Sequence, residues 1–416
     1  MTNTLAEHAR LFSSLDSLEG VPDWFEPRQP VAERTAWQRT GYNLLAWFGE
    51  VLPGIGLAAL LAYAGKLLAD WIGIGVLRFD ATRGSPISPI MLAIVLGLVI
   101  RNTIGIPTNY EHGLRLSIKT ILRVGIVLLG LKLTLQAIVG IGLVALPVIA
   151  TCIGIALLAV TFINRALGLP KRLGTLIGVG TSICGISAIV ATAPVIQAEE
   201  DETSYAVATI TLFGLAALFV YPFVAHLLFA GSATEAGLFL GSAIHDTSQV
   251  AGAGLMFQQQ YGSDEALRVA MAVKLMRNVC MVALIPLMAL AYHRSAAGTG
   301  SVKRQSWGQL VPLFVIGFAV MACLRTLGDA TLGDAGDSRA FGILERGAWN
   351  GFVRGADIAA VWCLTIAMAA VGLGTGLAKL RGLGWKPFSV GFCAAVLVGA
   401  VSALLIKLLV NLRQNL

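Results

Sequence analysis

Long apolar runs separated by short polar loops fill most of the chain. Runs long enough to cross a bilayer as helices, which takes about 20 residues, occupy 44–76, 86–104, 119–140, 142–164, 173–197, 204–230, 237–257, 266–292, 308–325, 356–378 and 387–411. This pattern predicts an all-α polytopic membrane protein with about 11 transmembrane helices. Residues 1–42 contain no such run and predict a cytosolic N-terminal extension, helical in part over 5–18.

Composition agrees with this class. The chain is 56% hydrophobic and 13% charged, with a mean hydropathy of +0.78, whereas soluble domains carry about 25% charged residues. The net charge of +7 is spread over short loops, which does not indicate nucleic-acid binding. The six cysteines lie in apolar runs without CxxC spacing, so we predict no disulfide framework, metal site or cofactor.

The loops divide by charge. With eleven spans and a cytosolic N-terminus, the basic loops fall inside and the acidic loops outside, as the positive-inside rule requires. This places the C-terminus on the outer side. The basic loops lie within 101–123, 165–172, 294–304 and 379–386, and the acidic ones are 199–202, 264–265 and 329–337.

One extra helix at 43–78 leaves ten spans, which predict two inverted repeats of five, 86–230 and 237–411. Two internal echoes give different registrations. Residues 97–103 resemble 241–247, and the sequence around 129–131 resembles that around 371–373. The first keeps helix order and inversion, and we prefer it.

Small residues interrupt two of the predicted spans. Span 173–197 contains Gly180, Gly185 and several hydroxyl residues, and span 356–378 has a fainter version of this composition. Such a composition permits the backbone to unwind where it lines a cavity, so discontinuous helices are predicted near both ranges. Close packing through small residues is the alternative.

Polar residues interrupt the spans 237–257 and 266–292. The run 241–250 contains His245 and Asp246, and the next span contains Lys274 and Arg277 three residues apart on one face. A charge at the centre of a membrane helix costs roughly 2.5–3.5 kcal/mol. These residues therefore predict a functional site.

The charges predict an anionic substrate. Lys132, Lys274 and Arg277 oppose one carboxylate, Asp246, and an excess of positive charge suits an oxyanion. For Lys132, snorkelling or an ion pair with Asp246 is an alternative. The predicted substrate-binding residues are Thr181, Ser182, Gly185, Ser187, Ser242, His245, Thr247, Ser248, Gln249, Lys274, Arg277 and Lys132.

His245 and Asp246 are candidates for proton coupling, because an imidazole changes charge near physiological pH and a carboxylate in a low dielectric can carry a proton. A structural hydrogen-bonding role for His245 is the alternative.

Three stretches resemble a known family. Residues 180–196, 241–250 and 273–277, above all the His-Asp-Thr-Ser-Gln run, are similar to the signature stretches of the YeiH-type family, assigned by inference to export of sulfate or sulfonates. The resemblance runs from about residue 50 to the C-terminus. It implies a bacterial inner-membrane protein of the cation/proton antiporter and bile-acid symporter fold group.

The leading hypothesis is therefore a non-enzymatic secondary transporter that moves sulfate or a sulfonate by alternating access, with proton coupling left open. Its expected partners are a small anion and the bilayer, and a homodimer is compatible. One alternative is a sodium/proton antiporter using Asp246. The other is an intramembrane enzyme using Cys184 or Ser187 with His245, although no recognised catalytic motif accompanies them.

Overall fold

The computed structural model describes residues 36–77, 87–295, 312–332, 339–376, 378 and 384–414. Most of the predicted N-terminal extension, including its helix at 5–18, lies outside the described residues. The chain divides into two compact units, residues 1–49 and 50–416. The second unit holds all the predicted site residues.

Almost all described secondary structure is helical. A two-stranded antiparallel ribbon, β1 (Arg339–Ala340) and β2 (Leu344–Glu345), precedes α14. The α-helices are α1 (Ala36–Asp70), α2 (Pro89–Thr103), α3 (Thr108–Leu116), α4 (Leu122–Leu129), α5 (Leu135–Ala166), α6 (Lys171–Ser182), α7 (Ile186–Thr192), α8 (Glu200–Phe229), α9 (Ala233–Ala243), α10 (Thr247–Tyr261), α11 (Asp264–Val279), α12 (Met281–Ser295), α13 (Leu313–Thr331), α14 (Arg346–Gly374) and α15 (Trp385–Gln414).

The helical membrane-protein class is confirmed. Seven helical stretches of the described chain are long and apolar enough to cross a membrane, and α2 is a shorter apolar helix. The predicted span 119–140 is wrong in its bounds. The chain leaves the helix at Leu133, and Thr134 starts α5 by accepting a hydrogen bond from the Ala137 amide at 3.3 Å.

As predicted, the helix is interrupted within 173–197, since α6 ends at Ser182 and α7 begins at Ile186. Instead of the predicted span, the two helices form a hairpin. Arg172 at its start pairs with Glu199 just after its end, at 3.9 Å. A Cβ built on Gly180 in α6 would meet the Ile189 side chain of α7 at 2.9 Å. In one continuous helix, residues nine apart would be roughly 13 Å apart along the axis, so the chain turns back between the two arms.

A second hairpin, α9 and α10, replaces the predicted span 237–257. The Thr234 hydroxyl at the start of α9 bonds the Glu265 carboxylate at the start of α11. The Gln258 amide near the end of α10 bonds the neighbouring Asp264. Both ends of this hairpin therefore lie on one face of the protein.

The two hairpins point at each other from opposite faces. Helix α8 joins them with 30 residues, a length of roughly 45 Å, and it leads from the end of the first hairpin to the start of the second. We call the face that carries Arg172 and Glu199 the basic face. The face that carries Asp264 and Glu265 is the acidic face.

The predicted discontinuous helix near 356–378 is wrong, because α14 is continuous to Gly374. Its small residues serve packing: a Cβ on Gly97 of α2 would lie 2.8 Å from the Ala369 carbonyl oxygen and from the Leu373 amide. Glycine here allows two helices to approach backbone to backbone, so it does not mark an unwound segment.

Packing is densest within two groups of helices. One group, the scaffold, consists of α2, α4, α13 and α14. The other, the core, consists of the two hairpins with α5, α8, α11 and α15, and it contains the predicted polar residues.

Candidate functional site

Lys274 of α11 lies where the two hairpin tips meet. Its side chain is fully buried. The Nζ atom donates to the carbonyl oxygens of Ile183 at 2.8 Å and Ile244 at 3.0 Å, and to that of His245. An ammonium group has three donors, so all three serve the backbone of the tips.

Arg277, one turn further along α11, makes a second set of bonds to the same tips. Its Nε donates to the Ser182 carbonyl at 2.6 Å, and Nη1 donates to those of Ser242 at 2.7 Å and Ile244 at 3.2 Å. Nη2 donates to the carbonyl of Thr181. Four of the five guanidinium N–H groups are therefore engaged.

These acceptors lie in the last turns of two helices or in the one or two residues that follow them. Helix α6 ends at Ser182 and α9 ends at Ala243. The last turns of a helix carry free carbonyls and a partial negative charge. Lys274 and Arg277 compensate both ends at once, which explains how two cations are tolerated in the interior.

Asp246 lies near the N-terminal ends of α7 and α10, the second helices of the two hairpins. Its Oδ1 accepts from the Ser248 amide at 2.8 Å and the Ser248 hydroxyl at 2.5 Å, and Gln249 Oε1 accepts from the Asp246 amide at 3.2 Å. This reciprocal cap starts α10. The carboxylate also lies against Gly185, the residue just before α7.

Gly185 must be glycine for this arrangement. Its φ is +71°, a region that side-chain-bearing residues rarely adopt. A Cβ there would lie 2.9 Å from Asp246 Oδ2. The absence of a side chain thus lets one carboxylate approach the starts of both α7 and α10.

His245 is almost completely buried beside these charges, with 1% of its surface exposed. Among the described residues, neither ring nitrogen has a hydrogen-bond partner of good geometry, although the Thr181 backbone lies beside the ring. Its carbonyl, by contrast, accepts from Lys274. The backbone of His245 is thus bound to α11, while its imidazole retains unused hydrogen-bonding capacity.

Most of the predicted hydroxyl ligands bond within the protein. Thr181 and Ser182 donate to carbonyls one turn back, those of Ile177 at 2.8 Å and Gly178 at 2.6 Å. Ser242 donates to Leu238 and contacts the Ser402 hydroxyl of α15 at 2.6 Å. Only Ser187, at the start of α7, is exposed among the predicted hydroxyl ligands.

Lys132 is not part of this cluster. Its Nζ lies 2.6 Å from Asp357 Oδ1 of α14 and 3.5 Å from Asp264 Oδ2 at the acidic face. The predicted contribution of Lys132 to the polar site, and its alternative pairing with Asp246, are both wrong. Its carbonyl accepts from Arg268 at 3.2 Å, so it connects the scaffold to α11.

Two residues at the tips were not among the predicted site residues. Asn278 donates to the Thr247 hydroxyl at 3.2 Å, and its own Oδ1 is buried without a partner among the described residues. Gly214 of α8 makes room for the Gln249 side chain. Asn278 could have been identified from the sequence because it is polar within an apolar run. A single glycine in α8 could not.

The residues of the enzyme alternative are not arranged as a nucleophile and base. The buried Cys184 thiol contacts the Met281 sulfur at 3.7 Å, and Ser187 is exposed on α7. No described hydrogen bond joins either residue to His245. A nucleophile activated by a base requires such contact.

The chain is similar to a widespread group of bacterial membrane proteins. The family model described as "Conserved hypothetical protein 698" matches residues 53–391. The UPF0324 inner membrane protein YeiH of Escherichia coli is 32% identical over 340 residues, covering 81% of this chain and 88% of that protein. UPF0324 membrane proteins of Nitratidesulfovibrio vulgaris and Bacillus cereus are each 29% identical, over 85% and 92% of this chain and 92% and 96% of their own lengths.

Proposed function

The chain belongs to the conserved hypothetical protein 698 family, which includes YeiH, and from that premise we propose that it is a secondary transporter of a small oxyanion. The observation that carries the proposal is the meeting of two opposed hairpin tips around Lys274 and Arg277. Secondary transporters commonly place interrupted helices and their substrate site near the middle of the membrane.

The charge at the tips favours an anion. Lys274 and Arg277 are fully buried and oppose the single carboxylate of Asp246, which leaves one excess positive charge. Helix α10 starts beside this carboxylate, and helix starts attract anions. We expect the substrate at the accessible side of the tips, near Asp246, Ser248 and Ser187.

A sodium/proton antiporter is less well supported. In carriers that bind Na⁺, unwound carbonyls and the C-terminal ends of half-helices supply the ligands. Here the corresponding carbonyls accept hydrogen bonds from Lys274 and Arg277, so tethered cations already occupy that role.

The same charges support proton coupling through Asp246. With the carboxylate ionised, the tips carry one excess positive charge; with it protonated, they carry two. A dianion such as sulfate is fully neutralised only in the second state, and an unneutralised charge in the membrane interior is costly. We therefore infer that a proton on Asp246 accompanies the binding of a dianion.

For the membrane topology, we infer nine crossing segments and two hairpins. Because nine is odd, like eleven, the termini remain on opposite sides. The basic face, with Arg165, Lys171 and Arg172, is then cytoplasmic. The acidic loop 199–202 was predicted on the opposite side from the basic loop 165–172, which is wrong, since Glu199 pairs with Arg172 on one face. We place the inverted relationship in α6–α8 and α9–α11, each a hairpin followed by a helix.

The test is transport by purified protein in proteoliposomes. Uptake of radiolabelled sulfate and of a small sulfonate is measured with and without a pH gradient, for wild type, Asp246→Asn and the exposed control Asp201→Asn. Asn mimics a protonated carboxyl, so Asp246→Asn should exchange sulfate across the membrane without responding to the gradient. The control should behave as wild type.

Two results contradict the proposal. If wild type moves neither anion, the oxyanion function is wrong. If Asp246→Asn keeps the full response to the pH gradient, Asp246 does not carry the coupled proton.

A further inference from the structure

A cavity of about 990 Å³ opens at the acidic face, apart from the hairpin tips. It lies between α5, α9 and α11, and the ends of α13 and α15 contribute to its wall. Its size is within the range of ligand pockets, roughly 300–1,000 Å³. None of Lys274, Arg277 or Asp246 lines it, so it is distinct from the proposed transport site.

The cavity is polar at one end and apolar at the other. Charged side chains lie at the acidic face, where α11 begins and α13 ends. The apolar wall runs deeper, along α5 and α9. The charged lining residues are Lys132 and Arg325, which are paired with aspartates outside the lining, and Glu235, Glu265 and Arg268. The apolar ones include Ile141, Pro147 and Leu238.

The cavity opens sideways toward the bilayer. Leu143 forms part of its wall and is 73% exposed. This residue is eight positions into α5, a helix long and apolar enough to cross a membrane, and so lies roughly 12 Å along the helix. An opening at that depth faces hydrocarbon, so the occupant enters from the membrane.

The polar end offers charges of both signs. Arg268 donates through Nη1 to the Lys132 carbonyl at 3.2 Å, while its Nε is buried without a partner among the described residues. Glu235 and Glu265 line the same end. A guanidinium is well suited to phosphate, and the carboxylates suit a primary ammonium group.

We propose that this cavity binds one zwitterionic aminophospholipid. Its phosphate contacts Arg268, its ammonium group lies near Glu235 and Glu265, and an acyl chain follows the apolar wall of α5. A lipid with an anionic headgroup and no amine would leave the two carboxylates facing negative charge. This inference is independent of the transported substrate.

Helix α5 offers a matched pair of variants to test it. Gly140 lines the cavity, and Gly154 lies elsewhere on the same helix; both are exposed, and a Cβ at either would meet nothing within 4 Å. Gly140→Phe therefore adds a ring at the cavity wall with no clash at Cβ, and Gly154→Phe adds the same ring outside the cavity. Arg268→Ala removes the proposed phosphate contact, with the exposed Arg115→Ala as its control.

The full chain is reconstituted in nanodiscs of equal phosphatidylethanolamine and phosphatidylglycerol, re-extracted in mild detergent, and its retained lipids are counted by mass spectrometry. We expect wild type, Gly154→Phe and Arg115→Ala to retain one more phosphatidylethanolamine per chain than Gly140→Phe. Arg268→Ala should retain less phosphatidylethanolamine than Arg115→Ala. Equal retention in the two phenylalanine variants, or selective retention of phosphatidylglycerol by wild type, overturns the proposal.

Discussion

Replacing Arg277 by methionine should release the two hairpin tips from α11. Methionine fills a similar volume but donates no hydrogen bond, so the carbonyls of Thr181, Ser182 and Ser242 lose their donors. The Ile244 carbonyl loses one of its two donors. The ends of α6 and α9 also lose a compensating charge. Both effects act in the interior, because Arg277 is fully buried.

The expected cost follows from these contacts. Removing one partner of a buried charged interaction costs about 3–5 kcal/mol. Lys274 still bonds Ile183 and Ile244, so we take the lower value. A change of about 3 kcal/mol shifts the equilibrium between closed and open tips by roughly 100-fold.

Cys184 is a reporter for this opening, since it lies in the first tip and is 4% exposed. With the other five cysteines replaced, the rate of maleimide labelling at Cys184 follows the open fraction when opening and closing are fast. We expect roughly 100-fold faster labelling in Arg277→Met. Arg115→Met, at an exposed arginine paired with Glu111, should label at the wild-type rate.

Equal labelling of Arg277→Met and wild type would contradict the argument. It would mean that the tips hold their conformation without the guanidinium group. Fast labelling that results from unfolding of the whole protein is distinguished from tip opening by the thermal unfolding of each variant in detergent.

Two further predictions test the hairpins themselves. Cysteines at Thr234 and Glu265, whose side chains bond each other, should form a disulfide under mild oxidation; a continuous span over 237–257 would keep these positions on opposite faces and unlinked. Gly185→Ala should destabilise the first tip by about 1–3 kcal/mol, because alanine is strained at positive φ and its Cβ would lie 2.9 Å from Asp246 Oδ2. The rate of Cys184 labelling measures the resulting opening of the tip.

The polar residues of the site could be predicted from the sequence because they interrupt apolar runs. Serine and glycine near 182–185, the stretch 241–250, and Lys274 with Arg277 do meet in the structure. Their roles in transport stay predictions. A buried charge needs a partner, and this indicates that these residues lie together. It does not indicate which partner each residue takes.

The hairpins could not be predicted in the same way. A span and a hairpin both consist of about 25 apolar residues, and hydropathy does not record whether the chain reverses. Helix length does separate the two cases in the structure. Helix α9 has 11 residues, or roughly 16 Å, too short to cross an apolar layer of about 30 Å.

Lys132 shows a second limit of sequence reasoning. Its charge and its place in an apolar run are like those of Lys274, yet its partners are Asp357 and Asp264. Both aspartates are distant in sequence and lie near the ends of predicted spans. Only the tertiary structure, which brings the turn after α4 beside α14 and the start of α11, decides that this lysine joins an ion pair at the acidic face.

The bonds at the tips also constrain how the proposed transporter moves. Lys274 and Arg277 together donate seven hydrogen bonds to the two tips, so separating either tip from α11 would expose buried charge and unpaired carbonyls at once. Within the described residues, fewer polar contacts join core to scaffold, among them Ser88 with Gln259 at 2.8 Å and Lys132 with Asp264 at 3.5 Å. A conformational change that moves the core relative to the scaffold therefore breaks fewer polar contacts than one that separates a tip from α11. We therefore expect both hairpins and α11 to move as one body relative to the scaffold, exposing the tips to each side in turn.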